Sequence, residues 1–185
     1  MNWKEQLLEI ESRFGQHKTQ DWTPAIQLVI NLIETHPHDV EVFIRVIYLL
    51  HNILVEEYYS TEEHDEIAYL LKKNFDKSYI LFSEDAEYLF FIGKILHIAE
   101  WYFGSDNCRL AIEMQKKAMD KEPKNLLYEW AYRLSCENDN VAYFLAHQII
   151  ENEKEKIDWL KGKGFPGNYI LENLQTSNKV YLANR

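Results

Sequence analysis

The residues best suited to do chemistry form a dense run of acids and tyrosines between positions 56 and 66. Six carboxylates fall within these eleven positions, with no lysine or arginine among them. The run consists of Glu56, Glu57, Tyr58, Tyr59, Glu62, Glu63, Asp65 and Glu66. Concentrated like charge costs stability through self-repulsion, and tyrosines beside acids are typical interface anchors. We therefore expect this run to bind a basic partner protein.

The alternative interpretation of the run is a solvated turn at the start of a helix. Acids in a first helical turn are stabilised by the helix dipole, which accounts for the four acids from position 62 onward. It does not account for Glu56 and Glu57, because the pattern places them at the unfavourable C-terminal end of the preceding helix. These two acids favour the binding interpretation.

A glycine-rich segment near the end of the sequence has the residue spacing of a nucleotide-binding motif but not the surrounding elements that the motif requires. Gly162-Lys-Gly-Phe-Pro-Gly167 fits G-x-G-x-x-G. That fingerprint requires a preceding strand, a following helix and an acid about 20 residues further on, and too few residues remain here. A P-loop is also excluded, because Asn168 and Tyr169 stand where lysine and serine or threonine are required. We expect a structural loop that binds no nucleotide.

The seven histidines and two cysteines show no spacing that indicates a metal site or a nucleophile. There is no H-E-x-x-H motif and no Cys/His cluster. His36 and His38 flank a proline in a predicted surface turn, and Cys108 and Cys136 are expected to act as small apolar side chains. We expect no metal, no cofactor and no catalytic site.

Length and composition predict one soluble domain. The chain has 185 residues, of which 46% are apolar, enough for a single well-buried core. No apolar run approaches the ~18 residues of a membrane span, and acids interrupt the first residues where a signal peptide needs an apolar stretch. We expect a cytoplasmic protein, with one domain over 1–160 and a C-terminal loop and strap over 161–185.

The charge of the chain is unevenly distributed. Residues 1–110 carry 19 acidic and 9 basic side chains, whereas residues 111–185 carry 11 of each, so the first part holds the whole net charge of −10. Nucleic acids and anionic membranes are polyanions that such a field repels. We therefore expect neither as a partner, and a basic protein instead.

The elements that position these residues follow a repeat. Ala25, Ala68 and Ala111 are spaced 43 residues apart, and prolines at 37 and 123 follow the first and third at the same distance. Glu57-Tyr-Tyr and Glu100-Trp-Tyr are also offset by 43. A period in the forties is typical of stacked helix pairs, which bury their apolar faces against neighbouring copies. The sequence therefore predicts an all-α fold.

Apolar periodicity and capping residues divide the chain into about eight helices in antiparallel pairs. They are expected at approximately residues 2–14, 23–35, 39–59, 62–78, 83–103, 106–122, 125–136 and 141–160, with a loop at 16–21. The expected N-caps of the second, third and fourth helices are Thr23, which Pro24 follows, Asp39 and Thr61. Gly104 is expected to end the fifth helix. The fourth pair does not continue the register and is interpreted as a modified cap.

The string Ala-x6-small or apolar-x4-Pro-x-Asn/Asp resembles the second helix and exit turn of a tetratricopeptide repeat. The resemblance covers residues 25–39 and 111–125, and more weakly 68–82. That family repeats every 34 residues or so, and a HEAT or armadillo pair is an alternative with a length similar to 43. The resemblance implies an α-solenoid that binds proteins. The resemblance does not extend to the family members that bind a peptide carboxylate with Lys, Arg and Asn on the first helices of successive pairs. The corresponding bases here, Arg45, Lys94 and Arg133, are single and do not follow the repeat spacing.

These observations favour a non-catalytic acidic inhibitor that neutralises a basic partner, such as an immunity protein against a secreted bacterial nuclease toxin. A general adaptor or chaperone that binds peptides along its groove is the second hypothesis. A helical enzyme without a recognisable motif is the third.

Overall fold

The structure, a computed structural model, describes residues 2–15 and 21–184, and all regular elements in these ranges are helical. The α-helices are α1 (Trp3–Glu11), α2 (Thr23–Thr35), α3 (Val40–Glu56), α4 (Thr61–Phe82), α5 (Ala86–Leu96), α6 (Arg109–Lys121), α7 (Leu126–Ser135), α8 (Asp139–Asn152), α9 (Lys154–Lys161) and α10 (Phe165–Ala183). A 3-10 turn, Glu100–Phe103, lies between α5 and α6. The prediction of an all-α fold is confirmed.

Capping residues determine where α2 and α3 begin. The Asp39 carboxylate accepts hydrogen bonds from the N–H groups of Glu41 and Val42 and caps α3 as predicted. The predicted cap Thr23 is instead the first residue of α2, and Asp21 accepts the Thr23 N–H at 2.9 Å. Residues 16–20 of the predicted loop lie outside the described residues.

The fifth helix is shorter than the sequence predicts. It ends at Leu96, because Ala99 leaves the helical region with φ −148° and ψ 63°. Gly104, expected to end α5, terminates the 3-10 turn in a left-handed conformation at φ 77°. The following helix, α6, begins at Arg109, whose N–H donates to the Asn107 side chain at 3.0 Å. The predicted start at 106 is therefore three residues early.

The described residues contain ten α-helices, where about eight are predicted. The predicted helix 141–160 is divided into α8 and α9, since the backbone leaves the helical region at Glu153 (φ −113°, ψ 58°). The predicted C-terminal strap is wrong. Residues from Phe165 onward form the long helix α10, and Pro166 lies in its first turn, where a missing N–H costs nothing.

Consecutive helices pack side by side as α3–α4, α5–α6 and α7–α8, and α3 also contacts α5. The three alanines of the 43-residue period lie on α2, α4 and α6. The repeat predicts that Ala68 and Ala111 are buried. Ala111 is buried, and so is Ala25, but Ala68 is only half-buried.

The core is centred on α3 and α5. Every residue of α3 from Val42 to Leu54 is buried, and so is every residue of α5 from Tyr88 to Leu96. The Tyr48 hydroxyl donates to the Phe91 carbonyl at 2.8 Å and joins the two helices. A helix that is apolar on all sides needs neighbours on all sides.

The C-terminal helices supply the neighbours on one side. The Trp159 ring of α9 lies 5.6 Å from the Phe91 ring, and the Tyr169 ring of α10 lies 6.0 Å from the Tyr48 ring. Along its length α10 contacts α3, α8 and α9. Together α9 and α10 cover the face that α3 and α5 share.

Ion pairs join both this C-terminal unit and α1 to the central helices. Lys163 Nζ lies 2.6 Å from Glu87 and 3.6 Å from Glu41, and thus connects the beginnings of α5 and α3. Burial raises the pKa of Glu87 although Lys163 opposes the shift. Nearby, Arg45 and Glu11 form an ion pair at 2.9 Å, and both side chains are more than nine-tenths buried.

Close packing explains the glycines of the fingerprint-like segment. Gly164 has φ +65°, and a Cβ there would lie 2.3 Å from Arg45 Nη2. At Gly167 a Cβ would lie 1.8 Å from the Leu160 carbonyl oxygen. At Gly162 the nearest atom to a Cβ, the Trp159 carbonyl oxygen, is an ordinary 3.4 Å away.

We predict that Gly167→Ala lowers the free energy of unfolding by about 1–3 kcal/mol or more, because backbone must move to admit the methyl group. Gly162→Ala is the matched control and should change it by less than about 0.5 kcal/mol, since its φ of −73° suits alanine. Urea denaturation followed by circular dichroism measures both. Equal stability of the two variants would contradict the packing of α10 against α9.

Candidate functional site

The acidic run surrounds the connection between α3 and α4. Glu56 is the last residue of α3, and Glu57 is its C-cap. The first turn of α4 begins after Ser60, which forms a capping box with Glu63: each side chain accepts the N–H of the other residue. Ser60 is therefore the cap, one residue before the predicted Thr61.

Two of the six carboxylates hold the α1–α2 connection in place. Glu57 Oε1 accepts a hydrogen bond from the Gly15 N–H at 2.7 Å. Glu63 Oε1 accepts the Trp22 N–H at 2.8 Å, while its other oxygen accepts the Ser60 N–H. These contacts span about 40 positions of the sequence, and they give Glu57 a structural role that explains its place at a helix C-terminus.

The protonation of Glu63 reflects these bonds. Partial burial acts to raise its pKa, but the hydrogen bonds from Ser60 and Trp22 outweigh burial and lower the pKa below its ordinary value. Glu63 is thus charged at neutral pH and stabilises the fold in that form.

The two tyrosines of the run have different environments. Tyr59 is half-buried, and its hydroxyl donates to the Leu54 carbonyl at 2.9 Å. Tyr58 is 60% exposed, while its carbonyl accepts the indole N–H of Trp22 at 3.0 Å. The backbone of Tyr58 is therefore fixed, and its ring is free to contact a partner.

The remaining carboxylates of the run are exposed. They are Glu56, Glu62, Asp65 and Glu66, and with Tyr58 they are called the acidic face below. Burial raises the pKa of Glu56, and the nearby charges of Glu57 and Glu172 raise it further. Asp65 lies 3.0 Å from the imidazole of His64.

Aromatic side chains that the sequence analysis did not single out border the acidic face. The His64 ring lies 5.6 Å from Tyr59 and 6.1 Å from Tyr102, so the 3-10 turn lies beside the start of α4. Trp101, next to Tyr102, is 62% exposed, and Tyr69 on α4 is 63% exposed. In the sequence, the 43-residue offset between Glu57-Tyr-Tyr and Glu100-Trp-Tyr is the pattern that indicates that these two segments are related.

Neither cysteine lies in an activating environment. Burial and the neighbouring Glu100 raise the pKa of Cys108, whose Sγ is 3.8 Å from the His97 carbonyl oxygen. Cys136 is exposed on a turn. In residues 2–15 and 21–184, no group of three or more His, Cys, Asp or Glu side chains is arranged to hold a metal ion.

Membrane insertion of a helix finds no support in the described part of the chain, since none of its helices combines the necessary length and apolar character.

Comparison with known proteins gives no further guidance. Protein-family models, curated proteins and solved structures all gave no significant match.

We predict that Glu63→Ala lowers the free energy of unfolding by about 1 kcal/mol at neutral pH, because two N–H groups lose their acceptor. The difference from wild type should shrink as the pH falls through the folded-state pKa of Glu63, since a carboxylate with a lowered pKa stabilises only above it. Denaturant titrations at several pH values measure this. Glu66→Ala, exposed and without a hydrogen bond to any described residue, is the control. An equal loss in both variants would contradict the structural role of Glu63.

Proposed function

We propose that this chain is a non-catalytic protein-binding domain whose acidic face binds a basic protein. The observation that carries the proposal is the coincidence of four exposed carboxylates with one exposed tyrosine on a connection that other contacts hold rigid.

The charge distribution supports a basic partner. The acidic face lies within residues 1–110, which hold the entire net charge of −10. A surface of one sign attracts an oppositely charged protein over several ångströms and accelerates its association. The same surface repels nucleic acids, so it can bind a basic nuclease without binding the nuclease's polyanionic substrate.

The rigidity of the connection supports tight binding. Glu57 and Glu63 tie it to Gly15 and Trp22, and the indole of Trp22 fixes the backbone of Tyr58. A surface that is already ordered loses less conformational entropy when it binds, so more of the contact energy appears as affinity.

An inhibitor of a basic toxin is the favoured form of this function, by analogy with immunity proteins that mask a nuclease. Such a protein needs a rigid acidic surface and no chemistry of its own. The second hypothesis, an adaptor that binds peptides along an inner groove, is less favoured because α9 and α10 already cover the face shared by α3 and α5.

We also propose that the pairs α3–α4, α5–α6 and α7–α8 form a tetratricopeptide-like or HEAT-like stack. The contacts within each pair, the contact between α3 and α5, and the 43-residue spacing of the alanines on α2, α4 and α6 support this arrangement. The hydrogen bond from Tyr48 to Phe91 also joins positions 43 residues apart.

Neutralising the acidic face should slow association with the partner. The partner is first identified by affinity capture from the source cells and mass spectrometry. For the triple variant Glu62→Gln, Asp65→Asn, Glu66→Gln, we expect an association rate lower by on the order of tenfold at low salt, and a weaker salt dependence. Surface plasmon resonance measures the rates.

The matched control carries the same charge change elsewhere, at Glu137, Glu151 and Glu155, which are all exposed. Its association rate should stay close to that of wild type. If both triple variants bind equally fast, net charge alone matters and the acidic face is not the interface.

Tyr58→Ala tests the anchor separately. Removing a tyrosine ring from the centre of an interface costs about 2 kcal/mol when it is a hot spot, and the loss appears in the dissociation rate. We expect a shorter lifetime of the complex with little change in association rate. Tyr69→Ala removes another exposed ring, which lies outside the acidic face, and is the control. It should change the lifetime of the complex less than Tyr58→Ala does. An unchanged lifetime for Tyr58→Ala excludes the tyrosine as an anchor.

A further inference from the structure

A second candidate binding site lies in a groove between α2 and α4. This hollow has a volume of 270 Å³. Its lining includes Ile30 and Ile33 from α2, and Leu70, Lys73, Asn74 and Lys77 from α4. The residues of α4 follow the spacing i, i+3, i+4 and i+7, so they share one stripe of the helix. Glu34 at the end of α2 and Pro37 complete the lining. The groove therefore combines apolar side chains with two cations, one amide and one carboxylate.

The amide of Asn74 is the most informative group in the groove. The residue is only 4% exposed, yet its side chain forms no hydrogen bond with any residue that the structure describes. Its amide atoms are not among the fully buried unpaired atoms of the described residues, so they keep contact with solvent in the groove and can bond to a ligand there. A carboxamide offers one acceptor and two donors, which can pair with the C=O and N–H of a peptide backbone. The amide is therefore available to a ligand that carries peptide groups.

The two lysines are exceptional in this part of the chain. Within residues 2–15 and 21–110, the other exposed or half-buried Lys and Arg side chains all have a carboxylate partner. Lys73 and Lys77 are the exposed cations without one. They lie ahead of the last turn of α4, so the helix dipole does not account for them. Their ammonium groups are available to carboxylates of a ligand.

Aromatic rings keep these cations near the groove. Lys73 Nζ lies 5.6 Å from the centre of the Tyr69 ring, and Lys77 Nζ lies 5.4 Å from that of Phe43. One turn beyond Lys77, Ile80 is 81% exposed. An exposed apolar side chain therefore follows Lys77 on α4, outside the lining of the groove.

We propose that the groove between α2 and α4 binds a short peptide segment of another protein, in which acidic residues flank a large apolar residue. The apolar side chain packs on Ile30, Ile33 and Leu70, which surround a hollow of about one side chain. The Asn74 amide pairs with the peptide backbone. Carboxylates of the segment form ion pairs with Lys73 and Lys77.

This site is independent of the acidic face. Both are on α4, but the acidic face occupies its first two turns, whereas the groove begins at Leu70. The charged side chains of the acidic face are carboxylates, whereas the groove has two lysines and one glutamate. The first therefore favours a basic partner and the second an acidic one.

Selection from a library of short random peptides displayed on phage, with the full chain immobilised, tests the proposal. We expect enrichment of peptides in which Asp or Glu flanks Leu, Ile, Met or Phe. In isotope-labelled wild type, adding such a peptide should shift the Asn74 side-chain amide resonance and the backbone amides of α2 and α4. This mapping depends on no variant. Enrichment of basic peptides alone, or shifts confined to other helices, overturns the groove and leaves the acidic face unaffected.

Two variants test the chemistry of recognition. The pair Lys73→Glu, Lys77→Glu and the single change Asn74→Leu should each weaken binding of the selected peptide by roughly tenfold or more. The control pair Lys124→Glu, Lys154→Glu reverses two other exposed, unpaired lysines and should retain the affinity. Circular dichroism shows whether each variant folds. If the charge-reversal variant does not fold, the neutral pair Lys73→Gln, Lys77→Gln takes its place. Affinity retained in either groove variant overturns the proposal.

Discussion

The burial of α3 and α5 on all sides is the constraint on which the rest of the structure depends. Neither helix has a polar face that can be left in water, so each must be surrounded by other elements. α4 and α6 cover them on one side, and α9 and α10 on the other. Some polar groups of this interior are paired, as Arg45 is with Glu11 and Lys163 with two glutamates, whereas neither amide atom of the buried Gln115 has a hydrogen-bond partner.

This arrangement leaves recognition to the outer surface. The chain's own C-terminal helices cover the face that α3 and α5 share, so that face is not open to a partner. One side of α4 packs on α3 and the other faces solvent. Residues of both proposed binding surfaces are on this helix. Its outward residues change from acidic at the beginning to basic and apolar towards the end.

Local sequence signals predicted the elements that depend on local interactions. The start of α3 follows from the Asp39 cap, and the span of α2 from its apolar period and Pro24. The segment from 162 to 183 was misinterpreted because glycine and proline usually mark loops, whereas here Pro166 opens a helix and Gly167 allows close contact with Leu160. The partners of Glu57 and Glu63 lie about 40 residues away, and no local pattern encodes such a contact. The sequence shows where the acidic run lies. It does not show which of its carboxylates bond to the rest of the fold and which are exposed.

The covering of α3 by α10 also affects the order in which the chain folds during synthesis. α10 leaves the ribosome long after α3, so the apolar inner face of α3 remains open while α4 to α9 are being translated. Domains acquire their structure from the N-terminal side as they emerge, and exposed apolar surface at this stage promotes aggregation. A chain that ends before residue 165 therefore lacks the cover of α3, and its exposed apolar surface favours aggregation.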